Sequence, residues 1–270
     1  MTGGPYKWSY LSFFTVDTLL DTYIDLWDTI PTNKIVGGLF ANDPDGVATV
    51  PVVQRKAEER GYKFVLGGNL PYGTKDFSAT INKFKQAGAE ILISSDIAPD
   101  TTQAWRQMHQ QGWVPKVATI AKAALLPSDI ASYGENLPEN ISCEIWWHPS
   151  FPFKSSITGE TPKQLSDAWV KENNKQSIAT IGFKHAGIEI VADVLKRAGT
   201  LDKEKLRQAI AATNLDTIIG HISYNDQHWG ETPLVGGQWQ KGKDFPWEVQ
   251  IVNNKRNPSI PTTSTMKPIK

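Results

Sequence analysis

Five histidines and a single cysteine are the obvious raw material for catalysis or metal binding in this 270-residue chain. Their spacing supports neither. His109, His148, His185, His221 and His228 form no H-E-x-x-H pair and no other paired-ligand spacing. Cys143 falls inside an apolar, strand-like segment, where a thiol is inert. No G-x-S-x-G elbow presents a serine, and Gly67-Gly68 and Gly236-Gly237 have no phosphate-cradling signature around them, so no motif asks for a cofactor. What remains is a set of charged loop residues, Asp45, Asp96 and Lys122, each just after a strand-like run. Charges in that pattern recognise a ligand by ion pairs and hydrogen bonds, which points to binding rather than covalent chemistry.

The elements that must position these residues repeat a strand-loop-helix unit. Lys34 to Ala41 reads as a strand, runs into Asn42-Asp43-Pro44-Asp45-Gly46 and continues as a helix that buries Val50, Val53 and Ala57 and stops at Gly61. Tyr62 to Leu66 is a second strand, and Asp76 is placed to cap a helix carrying Phe77, Ile81 and Phe84 on one face. Glu90 to Ser95 leads through Asp96 and Ile97 to a helix starting at Pro99. Lys116 to Ala121 is a further strand that ends at Lys122. Ligands of open parallel sheets sit outside the carboxyl ends of the strands, so the loops after these strands should share one cleft. Before them, Thr15 to Ile30 reads as an amphipathic helix with Leu20, Tyr23, Ile24 and Trp27 at helical spacing.

Composition excludes several partners. Lys and Arg balance Asp and Glu at 28 each, which removes the electrostatic case for nucleic acid. Polar residues break every apolar run well short of the roughly 20 needed to cross a bilayer. One cysteine permits no disulfide within the chain. Ten tryptophans suit core packing, with a few available to line an aromatic cleft. The first residues show neither a basic nor an apolar leader segment, so no signal peptide is read here.

The pattern changes near residue 148. Ile141 to Trp147 is an apolar strand, followed by a Pro- and Ser-rich loop and then three helices, Gln164 to Asn173, Phe183 to Ala198 and Lys203 to Ala212, with one short strand, Gly220 to Tyr224. Three helices and one strand do not complete an α/β layer. Phe183, Ile188, Val191 and Leu195 are therefore expected to keep exposed apolar surface. Trp247 to Val252 reads as a last strand.

The order of Asn42-Asp43-x-Asp45-Gly46, Asp76-Phe77-Ser78 opening a helix, Ala87-Gly88-Ala89-Glu90-Ile91-Leu92, Gln110-Gln111-Gly112 ending a helix, Ala192 to Gly199 and Asp216-Thr217-Ile218-Ile219-Gly220 resembles the type I periplasmic solute-binding proteins of ABC transporters, the branched-chain amino-acid-binding type. The resemblance implies an α/β fold of the periplasmic-binding-protein type I class, a Rossmann-like parallel-sheet lobe plus an incomplete second lobe. Residues 9–147 and 233–270 would be lobe two, and residues 148–232 a mostly helical remnant of lobe one, with the family's first hundred or so residues lacking a counterpart. It further implies a non-enzymatic, periplasmic or extracytoplasmic parent that closes its two lobes on a small-molecule solute and docks on an ABC transporter permease in the membrane. A ligand-sensing domain of a receptor, or an amide-responsive regulator of the same fold, is the alternative.

Carried over position by position, the resemblance places Asp45 at the cleft rim, where relatives often have an aromatic. It gives Ser95, Asp96 and Ile97 backbone and side-chain contacts to the ligand, and puts Lys122 where relatives commonly present an acid to an ammonium. Such a lysine would repel an ammonium and attract a carboxylate or another electron-rich group. Trp146, His185 and Trp8 complete the candidate set. Each has a structural reading as well: a strand-end lysine with its stem on apolar surface, Asx-turn or helix-capping aspartates, and packed aromatic rings. Of Trp146 and Trp147, alternation puts one in the core and leaves the other for the crossover and cleft.

Overall fold

The computed structural model describes residues 6–270, which form two compact units, one of residues 16–144, 235–256 and 262–270 and the other of residues 6–15, 145–234 and 257–261. In chain order, the first elements are β1 (Leu11–Ser12), α1 (Val16–Trp27), β2 (Ile35–Ala41), α2 (Pro44–Glu59), β3 (Lys63–Leu70), α3 (Ser78–Ala87) and β4 (Ile91–Ser95). There follow α4 (Ala98–Gln110), β5 (Val117–Ile120), α5 (Pro127–Ser132), β6 (Ser142–Ile145), α6 (Pro162–Asn173), α7 (Ala179–Ala198) and α8 (Lys203–Ala211). The last strands are β7 (Asn214–Thr217), β8 (Gly220–Ser223), β9 (Trp229–Gly230), β10 (Val235–Lys241) and β11 (Trp247–Asn253).

The larger unit is built on a seven-stranded sheet of order β11-β10-β6-β5-β4-β2-β3. β2 pairs in parallel with both β3 and β4, β4 with β5, and β5 with β6, while β10 and β11 form an antiparallel edge. The chain leaves β2 for β3 on one side and then crosses to β4 on the other. β2 is thus the point where the strand order reverses, and the loops after β2 and β4 flank the crevice where such sheets take ligands.

Helical spacing explains how α1 joins this unit: Leu20, Tyr23, Ile24 and Trp27 are all buried, in one cluster with Val36, Phe40, Val53 and Ala57. The Trp27 indole donates to Thr119 Oγ1 at 2.9 Å, which ties the helix to β5. On the other face, Phe77, Ile81 and Phe84 of the α3 region pack with Trp105, Met108, Trp113 and Trp239. At the end of β6, the buried Glu144 accepts a short hydrogen bond from the Tyr23 hydroxyl. Burial pushes the Glu144 carboxyl up to about 7, against the opposing pull of that hydroxyl.

In the smaller unit β1 pairs in parallel with β9, and β7 with β8 as an antiparallel hairpin. Trp147 is buried beneath α7, where a Cβ on Gly182 would come within 2.3 Å of its ring, so only glycine lets the helix lie this close. Glu189 of α7, fully buried, accepts from the Ser156 amide and hydroxyl and from the Ile218 amide at 2.9 Å, and so pins two loops to one helix.

Several sequence expectations need correction. Phe77, not Asp76, is the residue before α3; Asp76 Oδ1 instead accepts from Ser78 N at 2.9 Å in an Asx-turn. β3 runs on through Gly67-Gly68 to Leu70, and the smaller unit holds β7 in addition to the expected strand at residue 220. Phe183 is not left bare: it packs edge-on against Trp146 and Phe13 with centroids 5.1 and 5.6 Å apart. Ile188, Val191 and Leu195 do remain exposed, at 65%, 54% and 41%. Residues 9–15, expected with the sheet-bearing span, belong to the smaller unit, as do residues 145–147.

Candidate functional site

Asp43 caps α2: its Oδ1 accepts from Gly46 N at 2.6 Å, and Pro44 fills the first helical position. Gly46 is required there, since a Cβ would lie 2.2 Å from the Ala41 carbonyl oxygen. This close approach fixes the turn between β2 and α2, so Asp43 and Asp45 are carried at the carboxyl end of the sheet.

Two strands away, Lys122 follows β5 in the left-handed region, with φ of 51°. The Ala123 amide donates to the Ala121 carbonyl across it, closing a tight three-residue turn. A lysine held this way costs about 1–2 kcal/mol relative to ordinary backbone, and such strain concentrates at functional positions. The turn brings the ammonium to the β2–α2 loop, with Nζ 2.8 Å from Asp45 Oδ2 and 3.6 Å from Asp43 Oδ2. Burial works against the charge of Lys122, but Asp45 and Asp43 outweigh it and raise its pKa. The Tyr72 hydroxyl donates a short bond to Asp43. That hydroxyl, then the Gly46 amide, and Lys122 as well, hold Asp43 below the usual carboxylate range against a smaller effect of burial.

Of the expected site residues, the sheet unit therefore brings Asp45 and Lys122 together, and Asp96 lies near enough to Lys122 to feel its charge. The Lys122 ammonium is ion-paired with Asp45 and, at longer range, with Asp43. Asp96 has no exposed surface; its Oδ1 accepts from the next amide, Ile97 N, at 2.7 Å, and its Oδ2 is buried without a hydrogen-bond partner. Burial pushes this carboxyl up to about 6; Ile97 N–H and Lys122 oppose the shift, while Asp100 and Asp43 add to it. Ser95 and Ile97 are half-buried beside it. Trp146, His185 and Trp8 are residues of the smaller unit. There Trp146 packs on Phe13 and Phe183, His185 Nε2 is 2.9 Å from Ser155 Oγ, and Trp8 is 57% exposed under the Lys7 ammonium.

Sequence reasoning missed Asp43 and Tyr72. The Asp43-Pro44 pair was the available signal, an N-cap residue before a first-turn proline. Tyr72, in a Pro-Tyr-Gly turn, carried none. Among the described residues no group of three or more His, Cys, Asp or Glu is placed to hold a metal ion, and no helix is long and apolar enough to cross a membrane.

The strand order reverses at β2, and the loops at that end of the sheet carry the polar residues just described; such switch points are where open α/β sheets take ligands. The sequence matches the periplasmic binding protein family over residues 3–244. The chain belongs to that family. Among relatives of this periplasmic binding protein, a Leu/Ile/Val-binding protein homolog 1 of Brucella suis is 26% identical over 205 residues, covering 74% of this chain and 52% of the relative. A Leu/Ile/Val-binding protein homolog 2 of Brucella abortus is also 26% identical, over 244 residues, covering 82% and 62%. The chain thus spans between half and two thirds of the length of these relatives. Among solved structures, a leucine binding protein of Thermotoga maritima superposes with a TM-score of 0.75 at 18% identity, covering 93% of this chain and 69% of that one, which shows the type I fold.

The buried Asp96 sets a stability test. Its folded pKa of about 6 lies above the ordinary 3.8. Between those values the folded state holds a proton that the unfolded state releases, so stability falls as pH rises. Asp96→Asn should therefore gain on the natural chain by about 1–2 kcal/mol between about pH 5 and pH 8. Urea unfolding at the two pH values checks this; a pH-independent difference would place the Asp96 charge in solvent.

Proposed function

We propose that this periplasmic binding protein is the solute-binding subunit of an ABC importer. It takes a small organic solute of the amino-acid or carboxylate- and amide-like class at the carboxyl ends of β2, β4 and β5. The observation that carries the reading is the convergence of the strained Lys122 turn and the Asp43–Asp45 loop at the end of the sheet whose order reverses at β2. Family membership supports it, as do relatives named for leucine, isoleucine and valine binding. In this reading the sheet-bearing unit is lobe two, residues 148–232 belong to lobe one, and the partner is a membrane permease. Within the sheet-bearing unit, Ser95 and Ile97 present backbone to the ligand.

Calorimetric titration of the chain with a panel of amino acids, aromatic carboxylates and amides tests the proposal. Saturable heat for at least one member is expected, and its loss in Lys122→Glu, which sets a carboxylate against Asp43 and Asp45. Heat unchanged by that substitution would move the site away from Lys122.

A further inference from the structure

The chain passes between its two units at Thr15–Val16, Glu144–Ile145 and Leu234–Val235, and again around residues 257–261. One side-chain pair inside the sheet-bearing unit couples the first two of these crossings. α1 starts at Val16, directly after the first, and carries Tyr23; β6 brings Glu144 to the last position before the chain leaves the unit. The Tyr23 hydroxyl donates to Glu144 Oε2, and the two residues are 1% and 6% exposed.

Among the described residues no cation is paired with this carboxyl. Lys122, after β5, is paired with Asp45, and Arg60, Lys255 and Arg256 with Asp25 of α1. The titratable groups against Glu144 are the Tyr23 phenol from α1 and the Cys143 thiol of its own strand. Burial first, and the Glu144 charge second, push both well above their ordinary values. Of the flanking strands, β5 has no titratable residue, and Lys241 of β10 is exposed at the strand's end. Between pH 5 and pH 8 the group that changes charge here is therefore Glu144, protonated below about 7 and ionised above. A carboxylate in this position has lost its water and gained no counter-charge, which favours any arrangement that returns it to solvent. The smallest such arrangement is release of the β6 end from α1, because Glu144 is the unit's last residue on that strand.

We propose that the Tyr23–Glu144 pair is a proton-operated latch on the crossing at Glu144–Ile145. Protonated Glu144 keeps the end of β6 seated on α1; ionised Glu144 releases it, so the chain that links the two units is freer at high pH than at low. The latch depends neither on the solute nor on the loops after β2, β4 and β5.

Amide hydrogen exchange of the full chain at pH 5 and pH 8, with and without urea below the unfolding transition, tests the latch. After correction for the intrinsic pH dependence of exchange, the Glu144 and Ile145 amides should exchange at least about tenfold faster at pH 8, since the closed form holds a proton that the open form releases. Urea should leave their rates unchanged, because a local release exposes little surface, whereas the Val117 amide in the sheet interior should exchange through global unfolding and respond to urea. Glu144→Gln, neutral at both pH values, should erase the pH effect at Ile145. Tyr23→Phe, which keeps the carboxyl and removes its partner, should quicken exchange of both amides at both pH values. The latch is overturned by exchange at Glu144 and Ile145 that rises with urea in step with Val117, that is unprotected already at pH 5, that keeps its pH dependence in Glu144→Gln, or that is indifferent to Tyr23→Phe.

Discussion

Trp27→Ala should cost the sheet-bearing unit about 3–5 kcal/mol, the range for deleting a buried aromatic side chain. The ring is 1% exposed, packs edge-on against Tyr62 at 5.3 Å and donates to Thr119 Oγ1 at 2.9 Å. Its removal leaves both a cavity between α1 and the sheet and a buried threonine hydroxyl with one partner fewer. Val47→Ala, at a position 50% exposed, serves as the control and should shift stability by less than about 0.5 kcal/mol. Chemical denaturation of both variants checks the pair. Equal midpoints would show that α1 is not part of the cooperative unit.

The second large effect is pH-dependent. Tyr23→Phe removes the hydroxyl that donates to the buried Glu144. Because the folded pKa of Glu144 is about 7 against an ordinary 4.5, the natural chain keeps this carboxyl protonated near pH 5 and ionised near pH 8. At the lower pH the variant loses a neutral hydrogen bond, about 1 kcal/mol. At the higher pH it loses one to a buried carboxylate, about 2–3 kcal/mol. In the natural chain the raised pKa means that folding takes up a proton between pH 4.5 and 7, so Glu144 stabilises least above that window. Unfolding curves at the two pH values should show the cost growing with pH. A cost that shrinks with pH would reverse the assignment of the titrating group.

How far the sequence carried the structure depended on whether the deciding contact was local. The stripe of Leu20, Tyr23, Ile24 and Trp27 gave α1 its buried face because one helix period suffices to read it. The loops after β2 and β4 were legible from a strand-like run followed by turn residues, and the family order of motifs placed them on a type I sheet. β7 escaped because Asn214-Leu-Asp-Thr has little intrinsic strand preference and is held by its pairing with β8. The start of β10 gave little strand signal because Gly236-Gly237 adds no side chains to the pattern; the pair lies within the strand next to Leu26, whose side chain a Cβ on Gly236 would meet at 2.6 Å. At the site, residue types were legible and their states were not. The pairing of Lys122 with Asp43 and Asp45 joins loops distant in sequence, and the burial of Asp96 depends on what packs over the strand end, so neither is written in the local pattern.

The central claim is that a small solute binds at the carboxyl ends of β2, β4 and β5. Amide NMR shifts of the full chain, recorded while leucine, a basic amino acid and an aliphatic amide are added in turn, locate any binding residue by residue. Saturable shifts concentrated at Asp43 to Gly46, Tyr72, Ile97 and Lys122 are predicted for at least one of them. Saturable shifts confined to the opposite, amino-terminal edge of the sheet, with these loops unmoved, would contradict it.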